Sequence, residues 1–107
     1  MKSSVPGVLL LMLDQAGLGG YVLEHKFHPA RRWRADLSYP EHKLIVEWEG
    51  AVWSGGRHVR PKGFLGDVEK YNAAVLLGWR VLRFTAADDL QYILDTIKEA
   101  LNGTGAV

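Results

Sequence analysis

At 107 residues the chain has room for one small domain with a single core, and its 48% hydrophobic and 10% aromatic content excludes a disordered tail. With no cysteine, disulfides and thiolate metal sites are excluded, which suits a reducing cytoplasm or a protein selected against labile thiols. The formal charge of +1 gives no reason by itself to expect nucleic acid. Its distribution says more. Residues 25–62 hold eight Lys or Arg against four acids, whereas residues 85–107 hold Asp88, Asp89, Asp95 and Glu99 against Lys98 alone. A basic middle around an acidic centre suits a polyanion held beside a metal site.

In chain order, the first apolar run, Val8 to Leu13, is six residues long and leads straight into Asp14 and Gln15. That is short for a secretory signal and far short of a membrane span, so a core helix and no membrane are expected. Ser4 and Pro6 mark its start and Gly17, Gly19 and Gly20 its end, giving a helix over Val5–Ala16, apolar nearly all round and buried. Tyr21–Phe27 reads as a strand containing Glu24, ended by His28-Pro29. Trp33–Ser38 is a second strand, turned by Tyr39-Pro40-Glu41-His42 into a third, Leu44–Gly50.

Gly50–Gly63 has no sustained periodicity, is rich in glycine and carries only positive charge, the mark of a functional or disordered loop. Phe64–Leu77 is the next helix, closed by Gly78, with Asp67 and Lys70 three apart on one side. Trp79–Phe84 is a strand with Arg80 or Arg83 outward. Thr85–Asp88 looks like a capping box for a last helix whose apolar face is Leu90, Ile93, Leu94, Ile97 and Leu101. Gly103 ends that helix, and residues 104–107 read as a frayed tail. The order is α-β-β-β-α-β-α, an α/β single domain over residues 1–107 with no internal repeat.

The chemistry gathers on the third strand. Side chains alternate along a strand, so Glu47 and Glu49 share one face while Leu44, Val46 and Trp48 take the other. Ionised carboxylates on a core strand need cations, a metal ion or a wet cleft in front of them. If Ser38 lies opposite Lys43, then Asp36 lies opposite Ile45 and on the face of both glutamates; a slip of one residue would break this. Asp36, Glu47 and Glu49 would then form an acidic cluster for a hard divalent cation, Mg²⁺ or Mn²⁺. No nucleophilic Ser or Cys device, P-loop or two-histidine zinc helix is present in the sequence.

Trp33-Arg34-Ala35-Asp36-Leu37, then Ile45-Val46-Glu47-Trp48-Glu49-Gly50, then a helix leading into Gly78-Trp79-Arg80-Val81-Leu82-Arg83-Phe84, resembles the PD-(D/E)XK nuclease superfamily. The likeness is to its small phage-encoded and Vsr-like branches and to archaeal-type Holliday junction resolvases, and it covers about Tyr21 to Leu101. It implies a restriction-endonuclease-like fold, a central mixed β-sheet flanked by helices. It implies Asp36 and Glu47 as metal ligands, Glu24 as an upstream acid, and Asp67 and Lys70 as helix residues pointed into the site. His58 would stand where Vsr-like enzymes place a histidine after a Gly-x-x-Trp turn. One departure is plain: the lysine of the motif, two places after Glu47, is Glu49. Lys70 or Lys62 could take over from it, or Glu49 could orient water as an additional ligand.

The resemblance implies a Mg²⁺-dependent DNA endonuclease, in the cytoplasm of a bacterial or phage-infected cell, acting as a homodimer on four-way junctions or other branched DNA. Arg31, Arg32, Arg34, Arg57, Arg60 and Lys62, with His58, would meet the DNA. Two alternatives stay open: a Vsr-like enzyme nicking mismatched or damaged duplex, and a catalytically inactive DNA-binding module. A glycosidase using the carboxylate pair is more distant, since the surroundings are so basic. Plainer readings also stand beside each residue. Glu47 and Glu49 could be a solvated strand face, Glu24 a surface acid paired with an arginine, Asp67 and Lys70 an exposed helix pair, and His58 a loop side chain.

Overall fold

The computed structural model describes residues 4–49 and 61–102. The order is α1 (Gly7–Gln15), β1 (Val22–His25), β2 (Ala35–Tyr39), a 3-10 turn (Pro40–His42), β3 (Leu44–Trp48), α2 (Pro61–Leu76), β4 (Arg80–Phe84) and α3 (Leu90–Asn102). One sheet of order β1-β2-β3-β4 carries two antiparallel pairings and then a parallel one between β3 and β4. A parallel neighbour cannot be reached by a tight turn, so the chain crosses over through α2. The α/β order expected from the sequence is the one observed.

Helices cover both faces of the sheet. On one, Leu9 and Leu13 of α1 and Ile93, Ile97 and Leu101 of α3 close over Leu37, Leu44, Val46 and Phe84. On the other, Ala74 of α2 meets Ala35, Ile45, Phe27 and Trp79. With both faces covered, β3 buries Leu44, Ile45, Val46 and Glu47 in succession, as a central strand must. Complete burial of side chains such as Ile93 and Ile97 contributes about 1.5–3 kcal/mol each.

Both glycine stops act as the sequence implies. At the end of α1, Gly17 has φ 78°, Leu18 N–H donates to Leu13 O and Gly17 N–H to Asp14 O. At the end of α2, Gly78 has φ 91°, with Trp79 N–H on Ala74 O and Gly78 N–H on Val75 O. Both are Schellman closures that use up carbonyls the helix would otherwise leave bare.

Four local expectations are corrected. The α1 helix is not buried all round: Leu9 and Leu13 are, whereas Val8 and Leu11 are 51% and 54% exposed. A helix lying on a layered core buries only the stripe that faces it. Ser4 does not cap that helix, because its hydroxyl is bonded to Asp36. The β2–β3 hairpin pairs Ser38 with Ile45 rather than with Lys43, since the 3-10 turn and Lys43, at φ 52° and ψ 45°, lengthen the connection. That is a two-residue displacement, so each side chain keeps its face. Finally, Thr85–Asp88 forms its own turn, Thr85 N–H donating to Asp88 Oδ2, and Asp89 caps α3 through the amides of Gln91 and Tyr92.

Candidate active site

Continuing the β2–β3 register one place beyond Leu37 and Val46 sets Asp36 opposite Glu47. Each acid is bonded to the other strand's backbone. Asp36 N–H donates to Glu47 Oε2 at 2.9 Å, and Trp48 N–H donates to Asp36 Oδ2 at 2.7 Å. The two carboxylates thus latch the open end of the hairpin to itself. Asp36 Oδ1 accepts from the Ser4 hydroxyl at 3.1 Å.

The inner face of α2 supplies what Glu47 needs. Glu47 is 5% exposed, and Lys70 Nζ donates to its Oε1 at 2.9 Å from a side chain that is itself only 14% exposed. The Tyr71 hydroxyl lies 3.2 Å from Glu47 Oε1 and 3.2 Å from Glu49 Oε2, and so joins the two glutamates. Glu49 takes its cation from the neighbouring strand: Arg83 Nε donates to its Oε2 at 2.7 Å, and the guanidinium lies 4.5 Å over the Tyr71 ring.

Burial pushes the Glu47 carboxyl above the usual carboxylate range, opposed by the Lys70 ammonium and the Asp36 amide. Burial and then the charges of Glu47 and Glu49 push the Tyr71 hydroxyl up, so it keeps its proton and donates. The hydrogen bond to Glu49 raises Arg83, fixing its charge more firmly still.

Among the described residues no group of three or more acids or histidines is gathered for a metal ion, so the expected three-acid cluster with Glu49 is not seen; Asp36 and Glu47 are the two carboxylates that could hold a hard divalent cation. Asp36 Oδ1 meets an exposed hydroxyl that can turn away, and Glu47 Oε2 accepts one bond with two lone pairs to offer. Lys70 Nζ stands beside that pair, on Glu47 Oε1.

The remaining sequence candidates spread out from this centre. Glu24 sits opposite Asp36 in the β1–β2 register, between the Leu23–Leu37 and His25–Ala35 pairs, with its backbone at φ 53°; among the described residues its side chain makes no hydrogen bond. Asp67 is half-buried on α2, close enough to raise both Tyr71 and Arg83. Arg31 lies 3.9 Å over the Trp33 ring and pairs with Glu69 of α2 at 2.8 Å, Arg32 is exposed and Arg34 half-buried. Lys62 belongs to the first turn of α2. Arg57, His58 and Arg60, and the tail at 104–107, lie outside the described residues.

Sequence reasoning missed Tyr71, and it left Arg83 as a mere alternative to Arg80. Asp67, Lys70, Tyr71 and Ala74 recur at the spacing of one helix face, and Ala74 is wholly buried, so Tyr71 was recoverable from α2's own periodicity. Arg83 was not, because its place beside Glu47 depends on the parallel register of β3 and β4.

Two other features do not belong to this centre. Ser38 is wholly buried with its hydroxyl 2.8 Å from His25 Nδ1, a core hydrogen bond closed to substrate. A cavity of about 460 Å³, bounded by Leu18, Tyr39, Pro40, His42 and Leu101, lies at the turn end of the hairpin, away from Asp36 and Glu47. Comparison with protein-family models, with curated proteins and with solved structures returns no match for the chain. No helix among the described residues is long and apolar enough to cross a membrane.

Proposed function

We propose that the chain is a metal-dependent DNA endonuclease of the PD-(D/E)XK superfamily with a restriction-endonuclease-like fold, acting as a homodimer on four-way junctions or other branched DNA. The observation that carries this reading is the meeting of Asp36, Glu47 and Lys70 at one end of the sheet, with Lys70 brought by the helix that follows β3. The mixed sheet, with a helix crossing between its two parallel strands, supports this reading.

Asp36 and Glu47 would hold Mg²⁺ or Mn²⁺, which when bound supplies Lewis-acid charge to a phosphodiester and acidifies water. Asp36 is aimed by the Trp48 amide and Glu47 by the Asp36 amide, so both acids are oriented before substrate arrives. Lys70 takes the place of the motif lysine from α2. Its Nζ, held by Glu47 Oε1, would orient the attacking water and offset negative charge as the new oxygen–phosphorus bond forms and the ester bond breaks, the water's proton passing to solvent and the leaving ester oxygen taking one from it. Arg31, Arg32, Arg34 and Lys62 would grip backbone phosphates, with Arg57, Arg60 and His58 from the intervening segment.

The test is incubation with labelled four-way junction, duplex and single-stranded DNA, with and without Mg²⁺. The junction is expected to be cut only with the metal, and Asp36→Asn to abolish cutting while binding persists. Cutting by Asp36→Asn at the wild-type rate, or no cutting of any DNA with Mg²⁺ or Mn²⁺, would overturn the reading. Nicking confined to mismatched duplex by a monomer would favour the Vsr-like alternative. A DNA-binding module without activity is favoured by a separate observation: Glu47's carboxylate is already bonded to Asp36, Lys70 and Tyr71, as a purely structural latch would be. On that reading Asp36→Asn leaves DNA processing unchanged.

A further inference from the structure

Glu49 occupies the position where the motif lysine is expected, so β3 itself brings no cation to this end of the sheet. The neighbouring strand does. Arg83 is the Cα partner of Glu47 in the parallel ladder, and Glu49 accepts a 2.7 Å bond from its Nε. The Tyr71 ring backs the guanidinium plane at 4.5 Å. An arginine held along its Nε edge and stacked on a ring has given up much of its rotamer freedom before any ligand arrives. Its two terminal nitrogens have no hydrogen-bond partner among the described residues, and the side chain is 51% exposed. One N–H of each terminal nitrogen therefore faces outward along the free end of the plane as a fork, the shape that meets two oxygens of a phosphate.

We infer that Arg83 is the phosphate fork of this site, aimed by Glu49 and Tyr71, and that it takes two oxygens of a DNA phosphodiester beside Glu47. Glu49 is then a positioning residue for Arg83 rather than a further ligand for a metal. The cation missing from position 49 is restored one strand away, with its anchor where the lysine would be. Asp36, Glu47, Glu49 and Asp67 outnumber Lys70 and Arg83, so the fork binds an anion better once a divalent ion offsets that excess. This inference rests on the nuclease reading.

The experiment measures binding of a fluorescein-labelled four-way junction by anisotropy, in Ca²⁺ and in EDTA, for wild type, Arg83→Lys, Arg83→Gln, Glu49→Ala and the Glu49→Ala/Arg83→Gln pair. Thermal melts of the same proteins confirm that each is folded. Arg83→Lys keeps the charge but loses the fork, and is expected to bind about tenfold or more weakly in Ca²⁺, close to Arg83→Gln, with a smaller loss in EDTA. Glu49→Ala is expected to lose a comparable factor, and the double variant to lose no more than Arg83→Gln alone. Wild-type affinity in Arg83→Lys, or a double variant whose loss is the product of the single losses, would overturn the inference while leaving the Asp36 result standing. Failure of the wild type to bind DNA in either buffer would sink both.

Discussion

Lys70 and Glu47 form the most deeply placed ion pair among the described residues, and removing one member of a buried pair costs far more than the pair itself contributes. Burial holds the Glu47 carboxyl above its usual range even with the ammonium present, so losing Lys70 raises it further. A carboxyl whose folded pKa exceeds its unfolded value is favoured by low pH. The penalty for its charge is present above the folded pKa and gone below the unfolded one. Lys70→Met is therefore expected to lose about 3–5 kcal/mol near pH 8, the gap to wild type closing as pH falls into the carboxylate range. Urea unfolding across a pH series measures this, and a gap that stays constant would show that Glu47 does not carry the effect. At this scale the sequence displayed the acids and the lysine, because carboxylates on an apolar strand demand a partner. It did not display Arg83 or the place of the Tyr71 hydroxyl between Glu47 and Glu49, which need two strands and a helix to be placed at once.

Element boundaries follow from capping chemistry. Asp89 Oδ2 accepts from the amides of Gln91 and Tyr92, at 3.0 and 3.2 Å, at the start of a helix whose stripe of Ile93, Ile97 and Leu101 closes one side of the core. Asp89→Ala is expected to cost about 1 kcal/mol in urea unfolding, and Asp88→Ala to act on the preceding turn instead. No change for Asp89→Ala would mean that the Thr85–Asp88 turn sets the helix start by itself. The stripe was legible because its period is helical and unbroken. The hairpin register was not, since a chain able to close as a tight turn or as a 3-10 turn with a left-handed residue pairs differently by two places, and Lys43 does not announce φ 52° in its side chain. The side on which each acid lies survived the error because the displacement was even.

At the scale of the whole molecule, a formal charge of +1 means that any grip on DNA must come from how charge is distributed. If Arg31, Arg32, Arg34, Arg57, Arg60 and Lys62 all meet phosphates, the logarithm of affinity should fall against the logarithm of salt with a slope of roughly −5. Anisotropy titrations between low and moderate salt would show this, and a flat response would remove phosphate contact as the basis of binding. The sheet fixes where such contacts converge, since Glu47 and Arg83 both stand toward the carboxyl ends of the two parallel strands, the place where ligands gather on sheets of this kind.

The outer strand β1 is four residues long, and Glu24, at φ 53°, interrupts it near its middle. A regular outer strand would present an unbroken row of amides and carbonyls on which another molecule could build; here the row is bent and bears an acid. Self-association by strand addition along that border is therefore disfavoured. With that border blunted, exposed apolar side chains on helices are a further meeting ground for a second copy, and the outward flank of α2, where Val75 and Leu76 are 61% and 87% open to water, is one such place.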